Sequence, residues 1–509
     1  MRGSQKTHFT VPAYFSGYAL RAPLPSYGFY ISQANPCSVA FNSLIFIIFF
    51  AIVLAVHALP LEWRARKTNL LLASYVFYAA WNPPFLVLLW ISTLTDWFAA
   101  RRITISSGRK RKLYLGLSIL VNLGLLGYFK YGGFLEENFA QLMVRLGVDY
   151  QVSGSDIILP LGISFYTFQS MSYSIDVYRD RIKPADSILD FALYVSFFPQ
   201  LVAGPILRAG FFMQQLVEAH RRRADDFGWG IALIVVGLFE KIVLADGLLA
   251  PVVEKIYAVS ANPTGIDGWI GTLAFSGQIF FDFNGYSVIA VGLAKCLGFQ
   301  VPWNFLSPYA AVGFSDFWRR WHVTLSAWLR DYLYVSLGGN RLGRLRTYGN
   351  LALTMLLGGL WHGASWLFVL WGAAHGMLLV IERLARHFLS DFGLFQRPSA
   401  RIVLGLLTFI LVTLTWVLFR APDLDSAAQL YAAMLMPGGG INVADLRDVI
   451  VVSSVIAALL GTHWFMRNRE FGSALKQLPW PTIAFILGAM LIAILLSPGE
   501  ERDFIYFEF

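Results

Sequence analysis

The chain has 509 residues, is 57% hydrophobic and carries only 14% charged residues. That balance excludes an ordinary soluble protein and indicates a polytopic membrane protein. The net charge of +9 does not call for nucleic acid as a partner, because the basic residues lie in short runs between apolar spans, the pattern of the positive-inside rule.

Residues 1–38 hold Pro, Ser, Tyr and a few charges without an apolar signal-type core, and read as a leader that is poorly ordered or interfacial. Residues 39–509 read as one transmembrane domain. Phe41 to Pro60 is apolar and ends on Glu62-Trp-Arg-Ala-Arg-Lys67, which makes that end cytoplasmic by charge. Asn69–Trp81 and Pro84–Phe98 form a tight pair around Asn82-Pro83-Pro84 and close on Arg101, Arg102 and Arg109-Lys-Arg-Lys112. Leu113–Phe129 crosses back toward Glu136, Glu137, Asp149 and Asp156, the outer side.

The pattern then loosens. Pro160–Gln169 and Phe197–Ile206 mix Pro, Gly and hydroxyl residues into apolar runs. Broken backbone at membrane depth is tolerated only inside protein or beside a wet cavity, so both are expected to be broken or re-entrant helices near a cavity. Spans follow at Gly228–Leu249 and Trp269–Leu297, with Glu240, Lys241, Asp246 and Asp282 inside them. Charges at that depth need partners, and structural pairing is the favoured reading. Cys37 and Cys296 form no disulfide framework or metal spacing. No base stands near Cys296 in sequence, so it reads as a packing residue. With Ile402–Phe419, Asp448–Met466 and Pro481–Leu496 the count reaches about eleven spans of ~20 residues, plus the broken ones. The fold class is all-α, and chemistry must occur within the bilayer or at its edge.

Two Trp-His pairs carry the chemical signal, Trp321-His322 and Trp361-His362. Read as a helix, Phe317–Tyr334 puts Arg319, His322, Ser326 and Arg330 on one stripe beside a Trp/Leu face, an interfacial helix. With Arg320 nearby, the stripe can snorkel onto anionic lipid or bind a phosphorylated donor such as a coenzyme A thioester. His362 follows Gly358 and Gly359 in an apolar span, where a substrate or another helix can approach closely. Apolar surroundings favour a neutral imidazole, the form a general base uses, although a hydrogen-bonded structural histidine fits as well. His375, 13 positions on, would lie about 220° round a continuous helix and reads as supporting. His362 would take a proton from an acceptor hydroxyl, while His322 or a nearby Arg orients the donor or stabilises the oxyanion. No metal or resident cofactor is called for.

At these residues the chain resembles the membrane-bound O-acyltransferase family, and within it the bacterial branch typified by alginate O-acetylation. The likeness rests on Phe317-Trp-Arg-Arg-Trp-His322, Trp328-Leu-Arg-Asp-Tyr-Leu-Tyr334, Gly359-Leu-Trp-His-Gly-Ala364, Pro160–Phe165, Phe198–Pro205, Phe281–Ser287 and the tail Phe504-Ile-Tyr-Phe. The resemblance implies helices around a central tunnel, with Trp361, Gly359, Gly363, His375, Asp316 and Asp282 lining or supporting it. It implies a multi-pass protein of the bacterial inner membrane, in contact with membrane lipids. It also implies acetyl-CoA as donor and an extracytoplasmic SGNH-type acetyltransferase partner. The expected activity is passage of acetyl groups across the membrane to an exopolysaccharide or cell-wall glycan. The alternatives are D-alanyl or lipid O-acyl transfer and, from another class, an ion-coupled transporter using Asp282, Glu240 and the histidines as a relay.

Overall fold

A computed structural model describes residues 41–150, 152, 157–218, 224–258, 262–388, 398–436, 439–469, 477–497, 502, 504 and 505. All of them fall in one unit, Cys37–Phe509; the proposed leader and Cys37 lie outside the described residues. Among the described residues the chain is helical, with no strand. The principal helices are α1 (Leu44–Ala58), α2 (Trp63–Ala79), α3 (Leu86–Ile105), α4 (Gly108–Arg145), α5 (Ile163–Tyr178), α6 (Ile188–Ser196), α7 (Ala224–Leu238), α8 (Gly265–Cys296), α9 (Arg344–His362), α10 (Trp366–Phe388), α11 (Pro398–Arg420), α12 (Leu424–Leu435), α13 (Leu446–Met466) and α14 (Trp480–Leu496).

Six helical segments among the described residues are long and apolar enough to cross a membrane: Pro83–Ile105, Gly108–Arg145, Gly265–Cys296, Trp366–Phe388, Ser399–Arg420 and Leu446–Met466. The apolar helices α1 and α14 are shorter. Against the eleven or so spans expected, α2 has only 17 residues and opens on Arg64, Arg66 and Lys67, so its apolar part is half a span. Gly228–Leu249 belongs to a longer run in which α7 passes into a π-helical stretch, Phe239–Leu249. Helix α4 has 38 residues, about 57 Å at 1.5 Å per residue. It exceeds the ~30 Å hydrocarbon core and must tilt or protrude.

Helix α8 is the axis of the fold, buried along most of its length. A capping box starts it: Thr264 accepts from the Asp267 N–H, and Asp267 accepts from the Thr264 N–H. Glycines set its contact with α7. A Cβ on Gly237 would come within 2.5 Å of the Gly285 carbonyl oxygen, and one on Gly230 within 2.8 Å of the Gly292 carbonyl oxygen. Such small-residue pairs bring two backbones together where lipid offers no hydrophobic drive.

The interior charges are paired, as their placement demands. Lys241 bridges Asp282 at 2.5 Å and Asp246 at 3.0 Å, and Asn284 donates to Glu240 at 2.7 Å. The other oxygen of Asp282 accepts from the Ile505 N–H at 2.9 Å, so the same buried carboxylate holds the described end of the tail. Cys296 is buried against Gly230, the packing role read from sequence.

Candidate functional site

The expected continuous helix Phe317–Tyr334 is not formed. A short turn, Phe314–Phe317, is followed by a break, then by Val323–Trp328 and a π-helical stretch, Leu329–Tyr334. His322 sits at the break with φ 41° and ψ 56°, the left-handed region that costs a non-glycine residue strain. Its neighbours hold it there. Val323 N–H donates to the Asn304 carbonyl at 2.8 Å, and Leu306 N–H donates to the Arg320 carbonyl at 2.9 Å. The Trp321 ring is fully buried between Phe305 and Trp416, 5.0 Å from each.

The break dissolves the Arg/His stripe. His322 turns inward and is fully buried, whereas Arg319 and Arg330 are exposed. Arg330 is forked onto Asp331, at 2.7 and 3.2 Å, and Asp331 also meets Arg208 at 2.5 Å. Arg320 pairs with Asp316 at 3.0 Å, and Asp316 pairs with Arg467 at 2.9 Å. Ser326 Oγ donates to the Trp321 carbonyl. Of the four donor-site candidates, Arg320 and Arg330 therefore serve ion pairs and Ser326 a helix start. Arg319 donates to the Ser315 carbonyl at the surface. Burial alone would raise the Asp331 carboxyl, but the bonds from Arg330 and Arg208 outweigh it and hold that group below the usual range. Asp316 is likewise held low against burial, by the Val312 N–H, Arg467 and Arg320.

The second pair lies at a helix end. Helix α9 stops at His362 because Gly363 turns to extended backbone, φ −160° and ψ 153°, and α10 returns beside α9. The two are close because a Cβ on Gly359 would collide with the Phe368 carbonyl oxygen and lie 2.9 Å from Gly372. Of the two readings of those glycines, helix approach is what the fold shows. A Cβ on Gly363 would run into the Phe368 ring, so this corner is equally tight. The turn also corrects the reading of His375. It is not on the far side of one continuous helix but on a second helix, 4.7 Å ring to ring from Trp371, which itself lies 5.1 Å from His362. His375 Nε2 meets Thr415 Oγ1 at 3.0 Å.

Both Trp-His pairs converge through one indole. The Trp361 ring is 6.1 Å from His322 and 5.0 Å from His362. Phe165 and Phe168 of α5 lie 5.5 Å from it, and Phe283 of α8 meets His322 edge-on at 4.7 Å. Among the described residues neither nitrogen of His322 has a hydrogen-bond partner, nor does the indole N–H of Trp361 or Trp371. Buried polar atoms are ordinarily satisfied, so a cluster of open ones marks where a polar ligand would be held. His322, Trp361 and His362 are thus brought together, His375 adjoins them, and the arginines and Asp316 lie apart. Asp282 reaches the cluster indirectly. It holds Ile505, and neighbouring Phe504 lies 5.6 Å from Phe283.

Two residues of this site were not singled out in the sequence. Lys130 Nζ donates to the His362 carbonyl at 3.0 Å, and Tyr131 Oη donates to the Leu360 carbonyl at 2.9 Å. The signal was available: a lone lysine within an apolar helix is a functional flag by default. Ending the span at Phe129 hid it. A separate, largely apolar cavity of about 590 Å³ lies among α7, α8, α13 and α14, lined by Trp229, Glu240, Asn284 and His463 among others. Neither His322 nor His362 lines it, and neither of the two Pro/Gly-broken segments does.

Fold and site together define a multi-pass helical membrane protein that keeps a histidine cluster inside its helix packing. A model of the MBOAT, membrane-bound O-acyltransferase family, matches residues 182–419, a stretch holding both histidines. The chain is 39% identical over 92% of its length to the whole of a Pseudomonas putida protein named "Probable alginate O-acetylase AlgI". It is 36% identical to the peptidoglycan O-acetyltransferase of Helicobacter pylori, covering 80% of each chain. It is 29% identical to the teichoic acid D-alanyltransferase of Streptococcus thermophilus, over 47% of this chain and 61% of that one. The chain belongs to the membrane-bound O-acyltransferase family and is an O-acyltransferase. The transporter alternative falls with that assignment.

Proposed function

We propose that this O-acyltransferase takes an acetyl group from a cytoplasmic thioester, acetyl-CoA, and passes it across the bacterial inner membrane for O-acetylation of an exopolysaccharide or cell-wall glycan. The observation that carries the reading is the place of His362 on α9. The helix starts among the exposed Arg341, Arg344 and Arg346, on the side that is cytoplasmic by charge. His362 is its last residue, about 27 Å further along at 1.5 Å per residue. A base so placed meets a donor from the basic side and a hydroxyl acceptor from the other. His362 takes the acceptor proton as the hydroxyl oxygen adds to the thioester carbonyl. His322, across Trp361, orients the acyl group. Transfer to a glycan outside the membrane calls for an extracytoplasmic partner of the SGNH acetyltransferase type, which would finish the reaction.

The test is turnover of labelled acetyl-CoA by membranes holding the wild type, His362→Ala and His322→Gly. Glycine suits the second position because it accepts the left-handed backbone that His322 occupies. Full activity in normally inserted His362→Ala protein would sink the proposal. D-alanyl transfer from a carrier protein is a second reading, favoured by the exposed basic face at Arg319, Arg341 and Arg344, on which an acidic carrier could dock. Supplying each thioester in turn separates the two.

A further inference from the structure

Lys130 and Tyr131 are consecutive residues of α4, and both reach the last turn of α9. The last four carbonyls of any helix have no partner within it, and in a membrane such groups must be satisfied by protein. Leu360 and His362 are two of those four, and Tyr131 and Lys130 are their donors. The end of α9, and with it the His362 side chain, is therefore fixed from α4.

Lys130 does more than such a clamp needs, because an uncharged donor performs the same task one residue away. Lys130 is a half-buried residue within a candidate membrane span. Its ammonium lies 5.9 Å from the centre of the Trp361 ring and 3.0 Å from the His362 carbonyl oxygen. Among the described residues no carboxylate lies within ion-pairing distance of it, whereas Lys67, Lys241, Lys255 and Lys295 all have one. A lysine carries three donors, and one of these is used on the His362 carbonyl. What remains is a positive charge without an anion, beside the indole that joins the two histidines.

We propose that Lys130 is the anion-holding residue of this site: it fixes the helix end that bears His362 and receives the negative charge that develops on the acyl oxygen during transfer. The inference rests on the acyltransferase reading above. The step is as follows. The acceptor hydroxyl gives its proton to the His362 imidazole as its oxygen bonds to the thioester carbonyl carbon. The carbonyl π pair moves onto oxygen, and that oxyanion lies against the Lys130 ammonium. Collapse re-forms the C=O bond and breaks the C–S bond, and the departing thiolate takes the proton from the imidazolium. Lys130 keeps its own protons throughout. A fixed charge aimed where charge develops acts most strongly in a dry site.

The experiment measures thioester turnover by the full-length protein in membrane vesicles, with acetyl-CoA as probe. The variants are Lys130→Gln, Lys130→Met, Lys130→Arg and Tyr131→Phe. Glutamine keeps a donor for the His362 carbonyl and removes the charge. Loss of one oxyanion contact lowers kcat about 10²-fold or more, with KM held within about threefold; this is expected for Lys130→Gln and Lys130→Met. Arginine should restore kcat to within about tenfold of wild type, and Tyr131→Phe should lose less than about fivefold. Wild-type kcat in Lys130→Gln overturns the proposal. So does a fall in Tyr131→Phe as deep as in Lys130→Met, since that would make the whole effect one of the helix clamp. A wild type that turns over no thioester overturns the acyltransfer step itself, and this inference with it.

Discussion

The rings of His322 and Trp361 meet at 6.1 Å and 64°, although 39 positions separate them in the chain. The contact makes Trp361 the common wall of both Trp-His pairs, backed by Phe165 and Phe168. Replacing Trp361 by Ala removes a buried indole at a site its neighbours cannot fill, a change that typically costs about 3–5 kcal/mol. Trp361→Phe keeps the wall and loses only the indole N–H. Thermal melting in detergent should show a deep loss for Trp361→Ala and a shallow one for Trp361→Phe. Equal melting temperatures for the two would mean that the indole is not the packing element described.

Gly359 tests the helix corner. Its Cβ would collide with the Phe368 carbonyl oxygen and crowd Gly372, and backbone cannot yield as a side-chain tip can. Gly359→Ala should push α9 and α10 apart and destabilise by about 1–3 kcal/mol, the usual range for overpacking. Gly349, on the same helix, has nothing within 4 Å of where a Cβ would stand. Gly349→Ala should be neutral or slightly stabilising, since alanine is the better helix former. The pair is read by melting temperature and by the yield of folded protein; a Gly359→Ala variant as stable as Gly349→Ala would contradict the packing.

Much of this was legible in the chain, and what was not has a physical reason. Apolar runs, Pro-broken segments and interior charges in need of partners announce themselves, because lipid punishes unsatisfied groups wherever they fall. Both histidines carry local marks, an indole beside each and glycines before His362. The break at His322 does not. Nothing in Phe317–Tyr334 forbids a helix, and the left-handed residue is imposed by tertiary bonds to Asn304 and Leu306. Helical spacing then put His322 with arginines it does not join. The α9–α10 corner is half legible: Gly363 stands at it, but the apolar run continues past that glycine, so spacing alone places His375 on one helix instead of two.

Asp282 joins two features that are far apart in sequence. It closes a 2.5 Å ion pair with Lys241 and accepts from the Ile505 N–H. Removing one partner of a buried pair costs about 3–5 kcal/mol when the other charge is left alone; Asp246, 3.0 Å from Lys241, stays as a partner and holds the loss to the lower end of that range. Asp282→Ala should therefore destabilise the core and also release the tail from α8. Hydrogen exchange measures both. Protection of the Ile505 amide should vanish in Asp282→Ala, while peptides of α3 and α4 remain protected. Retained protection at Ile505 would show that Phe504, packed 4.7 Å from Tyr286, holds the tail unaided.

The Arg208–Asp331–Arg330 cluster has a pH dependence of known sign. The Asp331 carboxyl is held below its ordinary range: burial opposes this, but the bonds from Arg330 and Arg208 prevail. A carboxyl depressed by folding contributes stability that is complete above its unfolded pKa, near 4, and is lost as pH falls through the lower folded value. The cluster should thus be unaffected between about pH 8 and 5 and weaken below about pH 4. Asp331→Asn removes the titrating group, so it should be less stable than wild type at neutral pH and should lose less on acidification. Melting curves of both proteins from pH 7 to 3 make the comparison, with accessibility of a cysteine placed at Ser336 as a local readout, since that hydroxyl receives Arg179 at 2.9 Å beside the cluster. Parallel loss in the two proteins would assign the acid sensitivity to another carboxylate, with Asp316, paired to Arg320 and Arg467, the next to replace.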